Sequence, residues 1–156
     1  MEFIELYTDG GTRGNGNVNA VGGYGVYLKY IVNGELIHEL ELKGGEMGTT
    51  NNKMELQGAI QGLKAIHNKD LETHMYIDSQ YVKNGIEIWI NNWKRNGWKT
   101  ANKKDVKNKE LWQTLDNMID GLKNFFDIKF VKVKGHAGNK WNEKCDQLAN
   151  EAMNEI

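Results

Sequence analysis

Four carboxylates stand at the predicted ends of secondary-structure elements. Asp9 and Asp78 each follow a predicted strand directly, whereas Glu55 and Asp146 lie in the first turns of predicted helices. If the two strands are adjacent and parallel, both Asp residues emerge at the same carboxyl edge of the sheet. Carboxylates around one point repel unless cations lie between them, and oxygen-only ligands suit Mg²⁺ or Mn²⁺ better than zinc. Two such ions support phosphodiester hydrolysis.

Each carboxylate also has a purely structural explanation. Asp9 with Gly10 is a common turn dipeptide, and Asn52 with Glu55 fits a helix capping box. Asp78 fits a helix N-cap, and Asp146 fits a charge that complements a helix dipole. Composition and periodicity leave both readings open.

His136 is a further candidate, because it lies on a glycine-flanked segment between the last predicted strand and the last predicted helix. A histidine titrates near neutral pH and can carry a proton or assist product release. The alternative interpretation is that His136 is an ordinary exposed loop residue.

The single cysteine, Cys145, excludes an internal disulfide and a Cys-cluster zinc site, and it fits a reducing, cytoplasmic compartment.

The elements that must position these residues follow from hydrophobic periodicity. An alternating or β-branched pattern predicts strands, and a period near 3.6 residues predicts helices. The predicted strands are 3–8, 24–32, 35–42, 72–77 and 125–133, and the predicted helices are 52–67, a segment from about 80 to 93 that Gly85 breaks in two, 108–122 and 142–153. The order β-β-β-α-β-α-α-α-β-α predicts a mixed sheet with an antiparallel meander followed by parallel strands.

Charge is distributed unevenly along the 156 residues, although the formal net charge is only −1. Residues 1–93 carry a net charge of −5, residues 94–140 carry +7 and residues 141–156 carry −3. The densest basic stretch runs from Lys94 to Lys109 and contains one acidic residue, Asp105. Near-zero net charge therefore does not exclude a nucleic-acid partner.

Tryptophans interleave with this basic stretch. Trp89 and Trp93 lie one helical turn apart, and Trp98 follows among Lys94, Arg95 and Lys99. Aromatic faces can stack on bases or sugars while cations meet phosphates. A solvated loop with core tryptophans and a membrane-surface helix are the alternatives, and the polar Asn residues nearby disfavour the second.

These residues resemble the bacterial-type ribonuclease H type 1 family, whose members cut the RNA strand of RNA–DNA hybrids. The matching stretches are 7–10, 22–25, 49–56, 78–82, 92–100, 133–138 and 142–146, which span nearly the whole chain in the family's order. The resemblance implies an α/β ribonuclease H-like fold with a five-stranded mixed sheet, in which strands 1–3 form an antiparallel meander and strands 4–5 are parallel, flanked by helices. It implies one domain over residues 1–156, a basic protrusion at about 89–108 and no separate hybrid-binding domain.

The resemblance also implies roles for individual residues. Asp9, Glu55, Asp78 and Asp146 are expected to be catalytic metal ligands for two Mg²⁺ ions, with Mn²⁺ as a substitute, and His136 is expected to assist. The expected substrate-binding residues are Gly10, Asn15, Asn51, Asn52 and Gln80 on the RNA side, Thr50, Tyr81, Trp89 and Trp93 on the DNA side, and Lys94, Arg95, Trp98 and Lys99 in the protrusion. Products with 5′-phosphate and 3′-hydroxyl ends, and a monomeric enzyme, are expected.

The chain departs from the family pattern in three places. The Gly16–Val21 loop lacks the usual prolines, Gly48 stands where relatives often have Arg, and Asp105 replaces a common Pro. We expect altered affinity from these changes and no loss of chemistry. A non-catalytic hybrid-binding module, a strand-transfer enzyme on a related fold and a membrane-surface protein are the rival interpretations.

Overall fold

The computed structural model describes residues 1–66, 71–123, 128–132 and 140–156. Its strands are β1 (Glu2–Arg13), β2 (Val21–Val32), β3 (Glu35–Met47), β4 (Glu72–Ile77) and β5 (Ile128–Lys132). Its helices are α1 (Asn51–Lys64), α2 (Gln80–Asn84), α3 (Ile90–Asn96), α4 (Lys109–Lys123) and α5 (Lys140–Asn154), with a π-helical turn, Gly85–Trp89, between α2 and α3. The parts of the predicted strand 125–133 that lie outside 128–132 are among the residues that are not described.

The strands form one five-stranded sheet in the order β3-β2-β1-β4-β5. β1, β2 and β3 pair antiparallel, whereas β4 pairs parallel with both β1 and β5. The predicted mixed sheet is confirmed. Because β1 is central, it connects the antiparallel half of the sheet to the parallel half.

The first three strands are longer than predicted. β1 continues to Arg13 because its end pairs with Val21 at the start of β2, so much of the glycine-rich 10–23 segment is strand and not loop. Asp9 therefore lies inside β1 and does not follow it. The parallel pairing with β4 nevertheless stops at Thr8 and Ile77, one residue before Asp9 and Asp78. The prediction that Asp9 and Asp78 emerge at the same edge of the sheet is therefore confirmed for the half of the sheet in which β1 and β4 are parallel.

The predicted division at Gly85 agrees with the end of α2 at Asn84 and the start of α3 at Ile90, but the division is a π-helical turn and not a gap in the helix. The chain stays helical from Gln80 to Asn96, and Gly85 begins the π-helical turn between α2 and α3. A side chain on Gly85 would overlap the indole ring of Trp112, so the glycine is required by packing against α4. The helix ends instead at Gly97, whose φ of 75° is left-handed and favours glycine.

The apolar residues form two clusters of different size. The larger contains side chains from β1, β2, β4, α1, α2, α3 and α4, among them Leu6, Leu56 and Trp112. The smaller contains Tyr7, Tyr27 and Cys145 and includes the contact with α5. Helices thus pack on the sheet through two separate apolar layers. Within the described ranges, no helix has the length and apolar character needed to cross a bilayer.

Candidate active site

Three of the four predicted carboxylates converge. Asp9, Glu55 and Asp78 each offer one oxygen atom, and these atoms lie within 4.8 Å of one another. Asp9 is buried, with 4% of its surface exposed, while Glu55 and Asp78 are partly buried. The backbone N–H of Gly10 donates to Asp9 Oδ1 at 2.9 Å and to Glu55 Oε1 at 3.0 Å. Asp146 lies outside this group of three, but its charge acts on Asp9.

Two glycines near Asp9 allow two helices to lie close to the sheet. A Cβ on Gly10 would overlap the backbone of Met54 and Glu55, so α1 can lie directly against β1 only because that side chain is missing. A Cβ on Gly25 would overlap the carbonyl oxygen of Cys145, so the same argument applies to α5 against β2. Gly10, which the family resemblance marks for substrate, therefore also has a packing role. At both positions, glycine allows a helix backbone to lie closer to the strand than any side chain would permit.

Concentrated negative charge shifts the pKa values of this cluster. Burial, followed by the charge of Asp78, raises the pKa of Asp9 to about 8, although hydrogen bonds with Glu55 and Gly10 oppose the shift and Asp146 adds to it. Burial, with the charges of Asp9 and Asp78, raises the pKa of Glu55 well above its usual range. Without a cation, the site thus holds protons that the carboxylates would ordinarily lose.

The structure contradicts the purely structural explanations for three of these residues. Thr50 is the N-cap of α1, and Glu55 accepts from Gly10 and does not form a capping box with Asn52. Ser79, and not Asp78, accepts from the N–H of Val82 and caps α2. α5 begins at Lys140, so Asp146 lies in its second turn and not in its first. The hydroxyls of Thr50 and Ser79 thus accept from free N–H groups at the starts of α1 and α2, whereas α5 begins two residues before its predicted start at residue 142.

Amide side chains lie on, or next to, the elements that carry the carboxylates. The backbone N–H of Asn51 donates to Asn15 Oδ1 at 2.9 Å, which joins the β1–β2 loop to the first turn of α1. Thr12 Oγ1 donates to Asn51 Oδ1 at 2.8 Å, and Gln80 Nε2 donates to Asn84 Oδ1 at 2.6 Å. Asn51, Asn52 and Gln80 are exposed. Nothing in the spacing of Thr12 or Asn84 marks either residue as functional in the sequence.

Aromatic rings form a connected group beside these amides. The ring of Trp112 lies 5.2 Å from that of Tyr81 and 5.5 Å from that of Trp93, and the Trp93 and Trp98 rings lie 5.8 Å apart. Tyr81 Oη accepts from Trp112 Nε1 at 3.0 Å. Trp89 lies 5.6 Å from Tyr81, and each of these rings except Trp112 is partly exposed. The predicted tryptophans are therefore both core and surface residues.

A shallow groove runs along this aromatic group. Its lining residues are Tyr81, Trp89, Asn92, Trp93, Thr100, Val106 and Lys107. The groove combines ring faces with amide, hydroxyl and ammonium groups, which is the composition that suits a nucleic-acid strand. Lys107, which lines the groove, is a further candidate for substrate binding, although the sequence indicated only the basic stretch as a whole.

Intramolecular ion pairs engage several cations of the basic stretch. Lys94 Nζ lies 3.3 Å from Asp116 Oδ2 and 3.1 Å from Asp120 Oδ2. Asp105 Oδ1 lies 2.5 Å from Lys99 Nζ and 3.6 Å from Lys109 Nζ. Four cations form no ion pair within the described part of the chain: Arg95, Lys103, Lys104 and Lys107. These four are the most available to an anionic partner. His136 lies outside the described residues.

Comparison with known proteins identifies the class of this fold. The crystal structure of LC9-RNase H1, a type 1 RNase H with the type 2 active-site motif, superimposes with a TM-score of 0.85 and 28% identity, covering 99% of this chain and 74% of that one. The architecture is therefore ribonuclease H-like, as predicted.

Sequence comparison then identifies the family. The family model described as RNase H matches residues 1–154. Ribonuclease H of Hydrogenovibrio crunogenus is 50% identical over 156 residues, covering 100% of this chain and 99% of that protein. Ribonuclease H of Clostridium botulinum is 46% identical over 157 residues, again covering 100% of this chain and 99% of that protein. The chain belongs to the RNase H family of nuclease hydrolases.

Proposed function

We propose that this protein is a divalent-metal-dependent endonuclease that hydrolyses the RNA strand of RNA–DNA hybrids and leaves 5′-phosphate and 3′-hydroxyl ends. The observation that carries the proposal is the convergence of Asp9, Glu55 and Asp78 within a fold and family whose curated members are named ribonuclease H. A merely structural role does not explain three carboxylates brought so close together, because their mutual repulsion destabilises the folded state.

The donor set fits Mg²⁺, with Mn²⁺ as a substitute. All three converging ligands are carboxylate oxygens, and the raised pKa of Asp9 reflects its burial and, after that, the negative charge of its neighbours. Two bound ions would supply an activated water and stabilise the leaving 3′-oxygen. Asp9, Glu55, Asp78 and Asp146 are the residues that would hold these ions.

The protein's own groups would perform the remaining steps. The Gly10 N–H donates to two of the carboxylates and holds them in one orientation before substrate arrives. His136 is proposed to carry a proton or to assist product release. Substrate alignment by the surrounding side chains would place the phosphate in line for attack, which is a large part of catalysis in phosphoryl transfer.

The surrounding residues support a hybrid duplex as the substrate. Amide side chains can read a 2′-hydroxyl, which is present in RNA and absent in DNA. We assign Gly10, Asn15, Asn51, Asn52 and Gln80 to the RNA strand, and Thr50, Tyr81, Trp89 and Trp93 to the DNA strand. The protrusion at about 89–108 would hold the duplex through Lys94, Arg95, Trp98 and Lys99, within a single-domain, monomeric, cytoplasmic enzyme.

Cleavage of end-labelled RNA tests this function. The RNA is paired with DNA, and RNA–RNA and DNA–DNA duplexes of the same sequence are run beside it with Mg²⁺ or with EDTA. We expect cutting of the hybrid only, dependent on metal, with products that carry 5′-phosphates. Asp9→Asn should lower the rate by several orders of magnitude, while Glu35→Gln, which removes an exposed carboxylate at the start of β3, should keep the wild-type rate.

The rival functions give different results in the same assay. Retention of the hybrid without any cleavage would identify a binding module, and cutting or joining of duplex DNA would identify a strand-transfer enzyme. Full activity of Asp9→Asn with Mg²⁺ would contradict the metal-ligand assignment even if the hybrid were cut.

A further inference from the structure

Two of the amides assigned to the RNA strand are each held by another polar side chain. Thr12 on β1 donates its hydroxyl hydrogen to Asn51 Oδ1, and Asn84 at the end of α2 accepts from Gln80 Nε2. Within the described ranges, neither amide side chain makes a hydrogen bond to any other side chain. The orientation of each exposed amide thus depends on one neighbour.

The two held amides lie close in the chain to two of the converging carboxylates. Asn51 is one helical turn before Glu55 on α1, and Gln80 follows Asp78 at the start of α2. Residues one turn apart on a helix project from the same face. A strand whose phosphate reaches the carboxylates would therefore pass both amides.

Each neighbour engages one polar group of the amide that it holds and leaves the other groups of that amide free. Thr12 occupies a lone pair of the Asn51 carbonyl oxygen, which leaves both N–H groups of that amide as donors. Asn84 uses one N–H of Gln80, which leaves the Gln80 carbonyl oxygen as an acceptor. A 2′-hydroxyl is both a donor and an acceptor, so it can satisfy either amide, whereas a deoxyribose satisfies neither.

We propose that Thr12 and Asn84 are positioning residues that set the RNA preference of the site by fixing the orientations in which the Asn51 and Gln80 amides meet the sugar hydroxyls. This inference rests on the proposed function. Thr12 and Asn84 act through the two amides. Their contribution is preorganisation, because a held side chain loses less conformational freedom when it binds.

The distinguishing measurement is the ratio of affinities for an RNA–DNA hybrid and a DNA–DNA duplex of the same sequence, measured by fluorescence anisotropy in EDTA so that no strand is cut. Thr12→Val keeps the shape but loses the hydroxyl, and Asn84→Leu loses the acceptor. Each should reduce the preference for the hybrid about fivefold, the effect of one net hydrogen bond. With Mg²⁺ present, KM for the hybrid should rise while kcat stays close to wild type.

Conservative variants provide the matched controls. Thr12→Ser keeps the donor and Asn84→Asp keeps the acceptor, so both should retain the wild-type ratio. A Thr12→Val protein with an unchanged ratio, or with equal losses for both duplexes, would overturn the proposal. So would a Thr12→Ser protein that behaves like Thr12→Val. By contrast, a wild-type protein that cuts no hybrid would overturn the proposed function itself, which separates the two failures.

Discussion

Asp9 lies directly opposite Gly25 across the antiparallel β1–β2 pair. Partners in such a pair project to the same face of the sheet, and on that face a side chain at Gly25 would overlap the carbonyl oxygen of Cys145 in α5. The next residue of α5 is Asp146, whose charge adds to the rise that burial and Asp78 cause in the pKa of Asp9. A missing side chain in one strand thus allows the last helix to bring a fourth carboxylate toward the site.

Gly25→Ala should therefore lower both stability and activity. The added methyl group forces α5 away from β2, and overpacking of this kind costs about 1–3 kcal/mol in the free energy of unfolding. Urea denaturation measures that loss, and hybrid cleavage measures the displacement of Asp146.

Gly121→Ala is the matched control for this substitution. Gly121 lies in α4, and a methyl group there would meet open space, so alanine should stabilise the helix by about 0.5–1 kcal/mol. A Gly25→Ala protein as stable and active as wild type would show that α5 does not depend on this close approach.

The metal-free protein should become less stable as the pH rises. The pKa of Asp9 is raised from 3.8 to about 8 in the folded state, so the folded protein binds a proton that the unfolded chain has released. Stability is therefore lost progressively between about pH 4 and pH 8, and the loss is complete above that range. Thermal unfolding in EDTA across this range measures the effect.

Added Mg²⁺ should counter this loss, with a larger rise in Tm at about pH 8.5 than at about pH 5, because the ionised carboxylates bind the cation. Asp9→Asn should flatten the pH dependence in EDTA and reduce the effect of Mg²⁺, whereas Glu35→Gln should do neither. Equal Mg²⁺ stabilisation at both pH values would contradict a carboxylate-bound cation.

Thr50→Ala should destabilise the protein before any substrate is present. The Thr50 hydroxyl accepts from the N–H of Lys53 at 3.2 Å and caps α1, the helix that carries Glu55. Loss of an N-cap costs about 0.5–2 kcal/mol, which urea denaturation resolves. Thr50→Ser keeps the cap and should match wild type. If Thr50 served the DNA phosphate alone, Thr50→Ala would weaken hybrid binding without changing stability.

Asp105→Asn should strengthen binding to the hybrid and increase its dependence on salt. The substitution frees Lys99 and Lys109 from their shared carboxylate. Each lysine that newly meets a phosphate should steepen the slope of log K against log salt concentration by about 0.9. Binding measured at several salt concentrations in EDTA gives that slope.

Glu155→Gln removes the same charge far along the sequence, where Glu155 pairs with Lys43 at 2.7 Å, and should leave the slope unchanged. An unchanged slope for Asp105→Asn would show that Lys99 and Lys109 do not reach the substrate.

Local pattern was sufficient to predict many elements of this fold. The strand at 72–77 was predicted with its observed bounds, because alternating burial and a bounded apolar run coincide there. The predictions were incomplete where packing between distant residues decides the local conformation. Gly85 divides the helix as predicted, but the division is a π-helical turn, and the ring of Trp112, far along the chain, occupies the space where a side chain at Gly85 would lie.

Residue types and their short-range spacing were sufficient to predict the order of elements, the family resemblance and the identity of the four carboxylates. The folded arrangement was needed to show that Asp9, Glu55 and Asp78 converge while Asp146 lies outside that group, that Asp105 pairs with two lysines, and that Thr12 and Asn84 hold two amides. Each of these relationships joins side chains through distance and direction in space. Such relationships arise from strand register and helix packing, which residue spacing does not encode.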